Sequence, residues 1–195
     1  MSVIENEKII LSVLGNSGVG KTSFIMKFTD NTFQESYLAT YGIDFKTKFV
    51  TINNNKYRVD LYDTAGQERF RSISVNSIRM SDGVILIYDI TNELSYENIN
   101  EWMDNIYEIK GKDFPVILIG NKCDKDQERV VPKEKGEQLA EKYNIIFFEA
   151  SNKMGTNIDE AGLKLINKIV ENNIRVSQES IKLRQNQLKK KKFCC

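Results

Sequence analysis

The sequence predicts an α/β fold: a mostly parallel six-stranded sheet flanked by helices on both faces. Three observations carry that prediction. Apolar runs alternate with amphipathic stretches along most of a 195-residue chain, the pattern of a parallel sheet whose crossovers are helices. A glycine-rich segment, Gly15-Asn16-Ser17-Gly18-Val19-Gly20-Lys21-Thr22, stands between an apolar run and a helical one. One hairpin signal, Asn53-Asn54-Asn55, separates two adjacent runs and makes that pair antiparallel.

The elements follow in order. Lys8-Ile9-Ile10-Leu11-Ser12-Val13-Leu14 is apolar enough for a buried strand over 8–14. Ser23-Phe24-Ile25-Met26-Lys27-Phe28 repeats apolar residues at helical spacing, which predicts a helix over 21–29. Strands over 44–52 and 56–62 flank the hairpin turn. Then come a helix over 68–80, a strand over 83–89, a helix over 93–110 and a strand over 115–121. A helix over 132–143, a strand over 145–149 and a helix over 158–171 complete the body. Residues 172–188 are polar, with Asn, Gln, Ser and Lys prominent, and read as a disordered linker rather than a stable helix. The chain thus divides into one domain over 1–171 and a flexible basic tail over 172–195.

Composition narrows the chemistry. The chain has no histidine, so Ser-His-Asp catalysis, imidazole acid–base work and His-ligated zinc are excluded. Three cysteines, Cys123, Cys194 and Cys195, form no disulfide framework, which fits a reducing compartment. No apolar run approaches the roughly 20 residues of a transmembrane helix, and no secretory signal is expected at the N-terminus. Net charge is +1, but residues 173–195 alone carry +6, which leaves −5 for residues 1–172. An acidic body with a basic tail points the tail at something anionic and gives the body no case for nucleic acid.

The glycine-rich segment matches G-x-x-x-x-G-K-[ST], the phosphate-binding P-loop, in the strand–loop–helix context it requires. Its glycines let successive backbone N–H groups face one concavity, and the helix N-terminus adds partial positive charge. Lys21 can reach the outer phosphates, and the Thr22 hydroxyl can ligate Mg²⁺. The fold is therefore that of a P-loop NTPase. Asp63-Thr64-Ala65-Gly66-Gln67 follows a strand and sets a carboxylate where the metal's outer shell needs one. Gly66 offers an unobstructed N–H, and the Gln67 amide can both donate to and accept from water. Asn121-Lys122-Cys123-Asp124 follows the strand Val116-Ile117-Leu118-Ile119-Gly120. The Asp124 carboxylate can accept two hydrogen bonds from guanine N1–H and the 2-amino group, donors that adenine lacks. Ser151-Asn152-Lys153 follows the last strand and can direct a backbone N–H at the guanine O6.

Taken together, the P-loop, Thr40, Asp63-Thr64-Ala65-Gly66-Gln67, Asn121-Lys122-Cys123-Asp124 and Ser151-Asn152-Lys153 resemble the five nucleotide motifs of Ras-superfamily GTPases. Tyr41-Gly42-Ile43-Asp44-Phe45, Gln67-Glu68-Arg69-Phe70-Arg71-Ser72-Ile73 and Cys194-Cys195 are similar to segments of Rab proteins. The resemblance implies a small monomeric Rab-type GTPase, a GTP/GDP switch in vesicular membrane traffic that hydrolyses GTP. It implies that Ser17, Gly18, Val19, Gly20, Lys21, Thr22 and Ser23 hold the phosphates and that Phe33 stacks beside the base. Thr22 and Thr40 would ligate Mg²⁺, and Asp63 would hold it through water. Thr40 and Gly66 would sense the γ-phosphate, and Gln67 would orient the attacking water. Asn121, Lys122, Asp124, Ser151, Asn152 and Lys153 would hold the base. The segments around 35–45 and 64–80 would be switches, ordered by γ-phosphate and relaxed on hydrolysis.

Two departures bear on partners. Rab proteins usually have Trp where this chain has Tyr62, and Tyr where it has Ser77; with Phe45 these form an aromatic effector surface. Asn152, usually Ala, is expected to act through its backbone N–H with little effect on base binding. The resemblance implies an exchange factor, an activating protein that supplies an arginine, a dissociation inhibitor and effectors. It also implies geranylgeranylation of Cys194 and Cys195, anchoring the protein to the cytoplasmic face of intracellular membranes with a cytosolic pool. Two chains anchor stably where one is marginal, and each lysine of Lys189–Lys192 adds about 1 kcal/mol at an anionic leaflet. Two rival classes remain: a non-hydrolysing nucleotide-bound scaffold, against which Gln67 speaks, and a P-loop kinase or ATPase, which Asn121-Lys122-Cys123-Asp124 opposes.

Overall fold

The computed structural model describes residues 7–33, 43–64 and 71–192, with side chains over 7–33, 45–63 and 75–175. Its sheet has six strands: β1 (Glu7–Leu14), β2 (Ile43–Ile52), β3 (Asn55–Thr64), β4 (Gly83–Asp89), β5 (Val116–Asn121) and β6 (Ile146–Ala150). Their spatial order is β2-β3-β1-β4-β5-β6, with β2 antiparallel to β3 and every other pair parallel. The hairpin turn is tighter than the three asparagines suggest. Asn53 and Asn54 alone take positive φ, 50° and 64°, while Asn55 pairs with Ile52. Asparagine tolerates that conformation, and a two-residue loop of this hand matches the twist of the strands.

The helices are α1 (Lys21–Asp30), α2 (Arg71–Met80), α3 (Glu93–Glu97), α4 (Ile99–Lys110), α5 (Lys133–Tyr143) and α6 (Ile158–Lys192). The period of two along each strand sorts its residues into two layers. Val13, Ile85, Ile87, Ile117 and Ile119 pack with Phe24 and Phe28 of α1 and Leu165, Ile166 and Ile169 of α6. Leu14, Val84, Leu86, Val116 and Leu118 pack with Ile99, Met103 and Ile106 of α4 and Leu139 of α5. Every residue of β4 and of β5 is buried, which is why both strands read as continuous apolar runs rather than alternating ones.

Two expectations change. The helix over 93–110 divides at Asn98 into α3 and α4. The break is slight: Asn98 keeps right-handed helical angles, donates to the Leu94 carbonyl and accepts from Trp102 N. Asn92 starts α3 by accepting from Ser95 N at 3.1 Å, the usual work of an N-cap. The larger correction is at the C-terminus. The stretch 172–188, read as a linker, lies within α6, which runs 35 residues. No glycine or proline occurs after Gly162, and Leu, Lys, Arg, Gln and Glu recur; these propagate a helix nucleated by its packed first half. Among the described residues no helix is long and apolar enough to cross a membrane.

Candidate functional site

Parallel strands bring their C-terminal ends to one edge of the sheet, and the predicted motifs meet there. The loop after β1 turns on glycines. At Gly15 (φ 135°) a Cβ would stand 2.1 Å from the Ile87 carbonyl oxygen of β4, so the loop lies directly against that strand. Gly18 and Gly20 also take positive φ, 77° and 101°, conformations that suit a residue without Cβ. Lys21 opens α1 and is buried. Its ammonium donates to the carbonyls of Gly15 (2.9 Å) and Asn16 (2.7 Å). Burial pushes its pKa down to about 8, opposed by the negative charge of Asp63. Thr22 Oγ1 donates to Asp63 Oδ2 at 2.5 Å. That bond joins the P-loop helix to the end of β3 and gives two hard oxygen groups side by side.

The two loops predicted to hold a base close on the same edge. Asn121 ends β5 and its Nδ2 donates to the Val19 carbonyl at 2.7 Å. Lys122 adopts a left-handed conformation, φ 68°, and its ammonium pairs with Asp89 at 2.6 Å. Asp124 is exposed, and one of its oxygens accepts from Ser151 Oγ at 2.5 Å. Ser151 Oγ itself accepts from Met154 N at 3.0 Å. Asn152 is buried, and its Nδ2 donates to the Gly20 carbonyl at 2.9 Å.

The structure therefore brings Ser17–Ser23, Asp63, Asn121, Lys122, Asp124 and Ser151–Lys153 to one place, with Phe33 half-exposed three residues past α1. Thr40, Gly66 and Gln67 lie outside the described residues, as do Cys194 and Cys195. Three supporting groups were missed by sequence reasoning. Asp89, at the end of β4, holds Lys122. Trp102 Nε1 donates to Asn16 Oδ1 at 3.2 Å and steadies the glycine loop from α4. The Asn152 side chain reaches the P-loop, where only its backbone had been considered. A terminal acid on a strand of this edge was the one available signal, and it pointed to Asp89 alone.

The aromatic face is partly as expected. Phe45 is 52% exposed and stacks on Tyr62, ring centroids 5.7 Å apart. Ser77 is turned inward. It is buried, its Oγ donates to Ser12 Oγ at 3.0 Å, and Ser12 Oγ donates to the Ser77 carbonyl at 3.0 Å.

A tight glycine loop between strand and helix with a buried ammonium, a hydroxyl–carboxylate pair and an exposed acceptor on a second loop defines a P-loop nucleotide-binding protein of the α/β class. The Ras family profile matches residues 8–171, and with that match the chain belongs to the Ras family of small GTPases. It binds guanine nucleotide and hydrolyses GTP. Its relatives include the Ras-related protein Rab-10 of Diplobatis ommata, 45% identical over 161 residues, 83% of this chain and 80% of the relative. Ras-related protein Rab-8B of Homo sapiens is 39% identical over 191 residues, 94% of this chain and 92% of the relative. Ras-related protein Rab-13 of Canis lupus familiaris is 44% identical over 160 residues, 82% and 79% of the two chains.

Proposed function

We propose that this Rab-like GTPase is a GTP/GDP switch in vesicular membrane traffic, working at the cytoplasmic face of an intracellular membrane from a cytosolic pool. The observation that carries the reading is the knitting of two base loops to the phosphate loop through Asn121 and Asn152, beside the Lys21, Thr22 and Asp63 cluster. In this reading Ser17–Ser23 wrap the phosphates, with the Lys21 ammonium leaving two backbone carbonyls for the outer phosphate oxygens. Asp124 accepts from guanine N1–H and the 2-amino group, the Lys122 stem and Phe33 flank the ring, and Ser151-Asn152-Lys153 turn a backbone N–H to O6. Thr40 and Gly66 sense the γ-phosphate, and Gln67 orients the water for in-line attack.

The Thr22 hydroxyl and Asp63 carboxylate fit Mg²⁺, a hard cation that takes oxygen donors and completes its shell with phosphates and water. When bound, it neutralises charge on the β- and γ-phosphates. Thr22 and Thr40 would hold it directly, and Asp63 through water. An arginine from an activating protein is worth roughly 10³–10⁵ in rate. An exchange factor, a dissociation inhibitor and effectors complete the cycle of a monomeric switch. The G domain spans 1–171, and the basic segment 172–195 ends in Cys194 and Cys195, the sites for two prenyl groups. Lys189–Lys192 add attraction to an anionic leaflet.

Two measurements test this. GTP should displace labelled GDP where ATP does not, and Asp124→Asn should weaken both guanine nucleotides about 10²–10⁴-fold, the value of two hydrogen bonds to a charged acceptor. In single-turnover hydrolysis without activator, Gln67→Leu should slow the step about 10²-fold while leaving affinity nearly intact. ATP competing as well as GTP, or wild-type hydrolysis in Gln67→Leu, overturns the reading.

A further inference from the structure

We infer that Asn152 is a positioning residue whose side chain locks the phosphate loop to the base loop and so slows nucleotide release. The inference rests on the nucleotide-site reading above. Asn152 is 4% exposed, and the donor end of its amide is committed to the protein rather than to the cleft. It donates to the Gly20 carbonyl at 2.9 Å. One residue earlier, the Val19 carbonyl accepts from Asn121 at 2.7 Å. A Cβ at Gly20 would lie 2.4 Å from Asn121 Nδ2 and 2.7 Å from Asn152 Nδ2. Two amides from two base loops thus clasp the two successive peptides that flank Gly20, and the space a side chain would need at Gly20 is theirs.

The clasp has a direction. Ser151 holds Asp124 at 2.5 Å, its neighbour Asn152 holds Gly20, and Gly20 precedes Lys21. A short chain of bonds therefore runs from the guanine acceptor to the phosphate ammonium. A nucleotide held at both ends leaves when one loop moves away from the other, and the Asn152 bond resists that separation.

The same bond is not needed to satisfy the fold. The Gly20 carbonyl already accepts from Phe24 N at 2.9 Å, in the first turn of α1. Asn152 Oδ1 is buried with no hydrogen-bond partner among the described residues. Truncating the side chain removes that unpaired oxygen and orphans no carbonyl, so the fold has little to lose. What is lost is the link between loops.

The test uses the full chain loaded with fluorescent GDP. Asn152→Ala should speed GDP dissociation about three- to tenfold, the value of one neutral hydrogen bond. Asn152→Asp keeps the shape, loses the donor and sets a carboxylate against the Gly20 carbonyl, so it should speed release at least as much. In an Asp124→Asn background, where the base loop no longer grips the base, Asn152→Ala should add little. A purely structural role would add its full factor in both backgrounds. Wild-type dissociation in Asn152→Asp, or full additivity with Asp124→Asn, overturns the inference while leaving the site reading intact. If Asp124→Asn itself leaves GDP release unchanged, the site reading fails first.

Discussion

β4 and the β2–β3 hairpin belong to one sheet, yet they solve opposite problems. All seven residues of β4 are buried, with Ile85 and Ile87 in one core layer and Leu86 and Tyr88 in the other. On the hairpin one face is fully packed and the other is covered only in part. Val50, Ile52, Val59 and Leu61 pack inward, while Phe45 and Phe49 stand 52% and 53% exposed. Between them Asp60, 1% exposed, receives Lys8 at 3.1 Å, Arg58 at 3.0 Å and Thr47 at 2.7 Å. The buried strand lends its rigidity to the site: the Ile87 carbonyl backs Gly15, and Asp89 at its end fixes Lys122. The hairpin instead displays apolar rings and charges on a sheet face that can be read from outside. The fully packed strand backs the predicted nucleotide loops, while the hairpin combines an inner end that sets Asp63 beside Thr22 with outer side chains placed to meet a partner.

The sharpest way to break this contrast is to truncate one apolar side chain in each region. Ile87→Ala leaves a cavity between sheet and helices and should cost about 2–5 kcal/mol. Phe49→Ala loses only a half-exposed ring and the Lys56 ammonium 4.8 Å from its centroid, about 1 kcal/mol or less. Chemical denaturation of the GDP-loaded protein checks both. Equal costs would mean that the hairpin face is packed in solution.

How much of this was legible in the sequence follows from the range of the interactions involved. The P-loop, β4, β5 and the hairpin turn are local: glycine spacing, apolar runs and asparagines that accept positive φ all lie within a few residues. The order of motifs placed Asp63 and Asp124 for the same reason. The Asn152–Gly20 and Trp102–Asn16 bonds span 132 and 86 positions, and nothing at either end marks its partner. Ser77 was placed on the effector surface only through the resemblance, as the residue standing where Rab proteins usually have Tyr; its turn toward Ser12 depends on how α2 sits on β1. The C-terminal half of α6 was misread for a different reason. Its polar composition suggests disorder, but composition does not record that a packed helix runs directly into it with no glycine or proline to stop it.

A middle-sized effect separates the two regions by pH. The Lys21 ammonium, held to about pKa 8 by burial against the opposing charge of Asp63, belongs to the rigid half. The ordinary value is 10.5, so between about pH 8 and 10.5 the folded, nucleotide-free protein binds fewer protons than the unfolded chain. Its stability therefore gains from this group as pH rises through that window. Nucleotide phosphates favour the charged form and reverse the shift. Binding then takes up a proton above about pH 8, and GDP affinity should fall as pH rises past it. In Lys21→Arg, whose guanidinium stays charged, this component of the slope should vanish. A titration of GDP affinity in both proteins decides it, and identical slopes would assign the pH dependence to another group.

The smallest effect concerns the open face. Phe45 and Tyr62 form a stacked pair, worth about 0.5–1.5 kcal/mol beyond area burial, so the aromatic cluster expected from the Rab resemblance has two rings here rather than three. Ser77 adds none, since its hydroxyl and carbonyl are both engaged with Ser12. A tyrosine at 77 would displace that pairing before it could extend the surface, which makes it the poorer route to a larger aromatic face. Tyr62→Trp enlarges a half-buried ring that already stacks on Phe45 and keeps both Ser12 and Ser77. It should raise capture by a partner that reads the aromatic face of Rab proteins about two- to fivefold, with GDP affinity unchanged, because Tyr62 lies one residue before Asp63 but on the opposite side of the strand. Phe45→Ala should lower the same capture by a similar factor and leave nucleotide binding alone. Pull-down or calorimetry with the GTP-loaded protein measures both. If neither variant moves capture while both keep their nucleotide, recognition resides elsewhere on the hairpin, with Phe49 and the Asp60 cluster next to be tested.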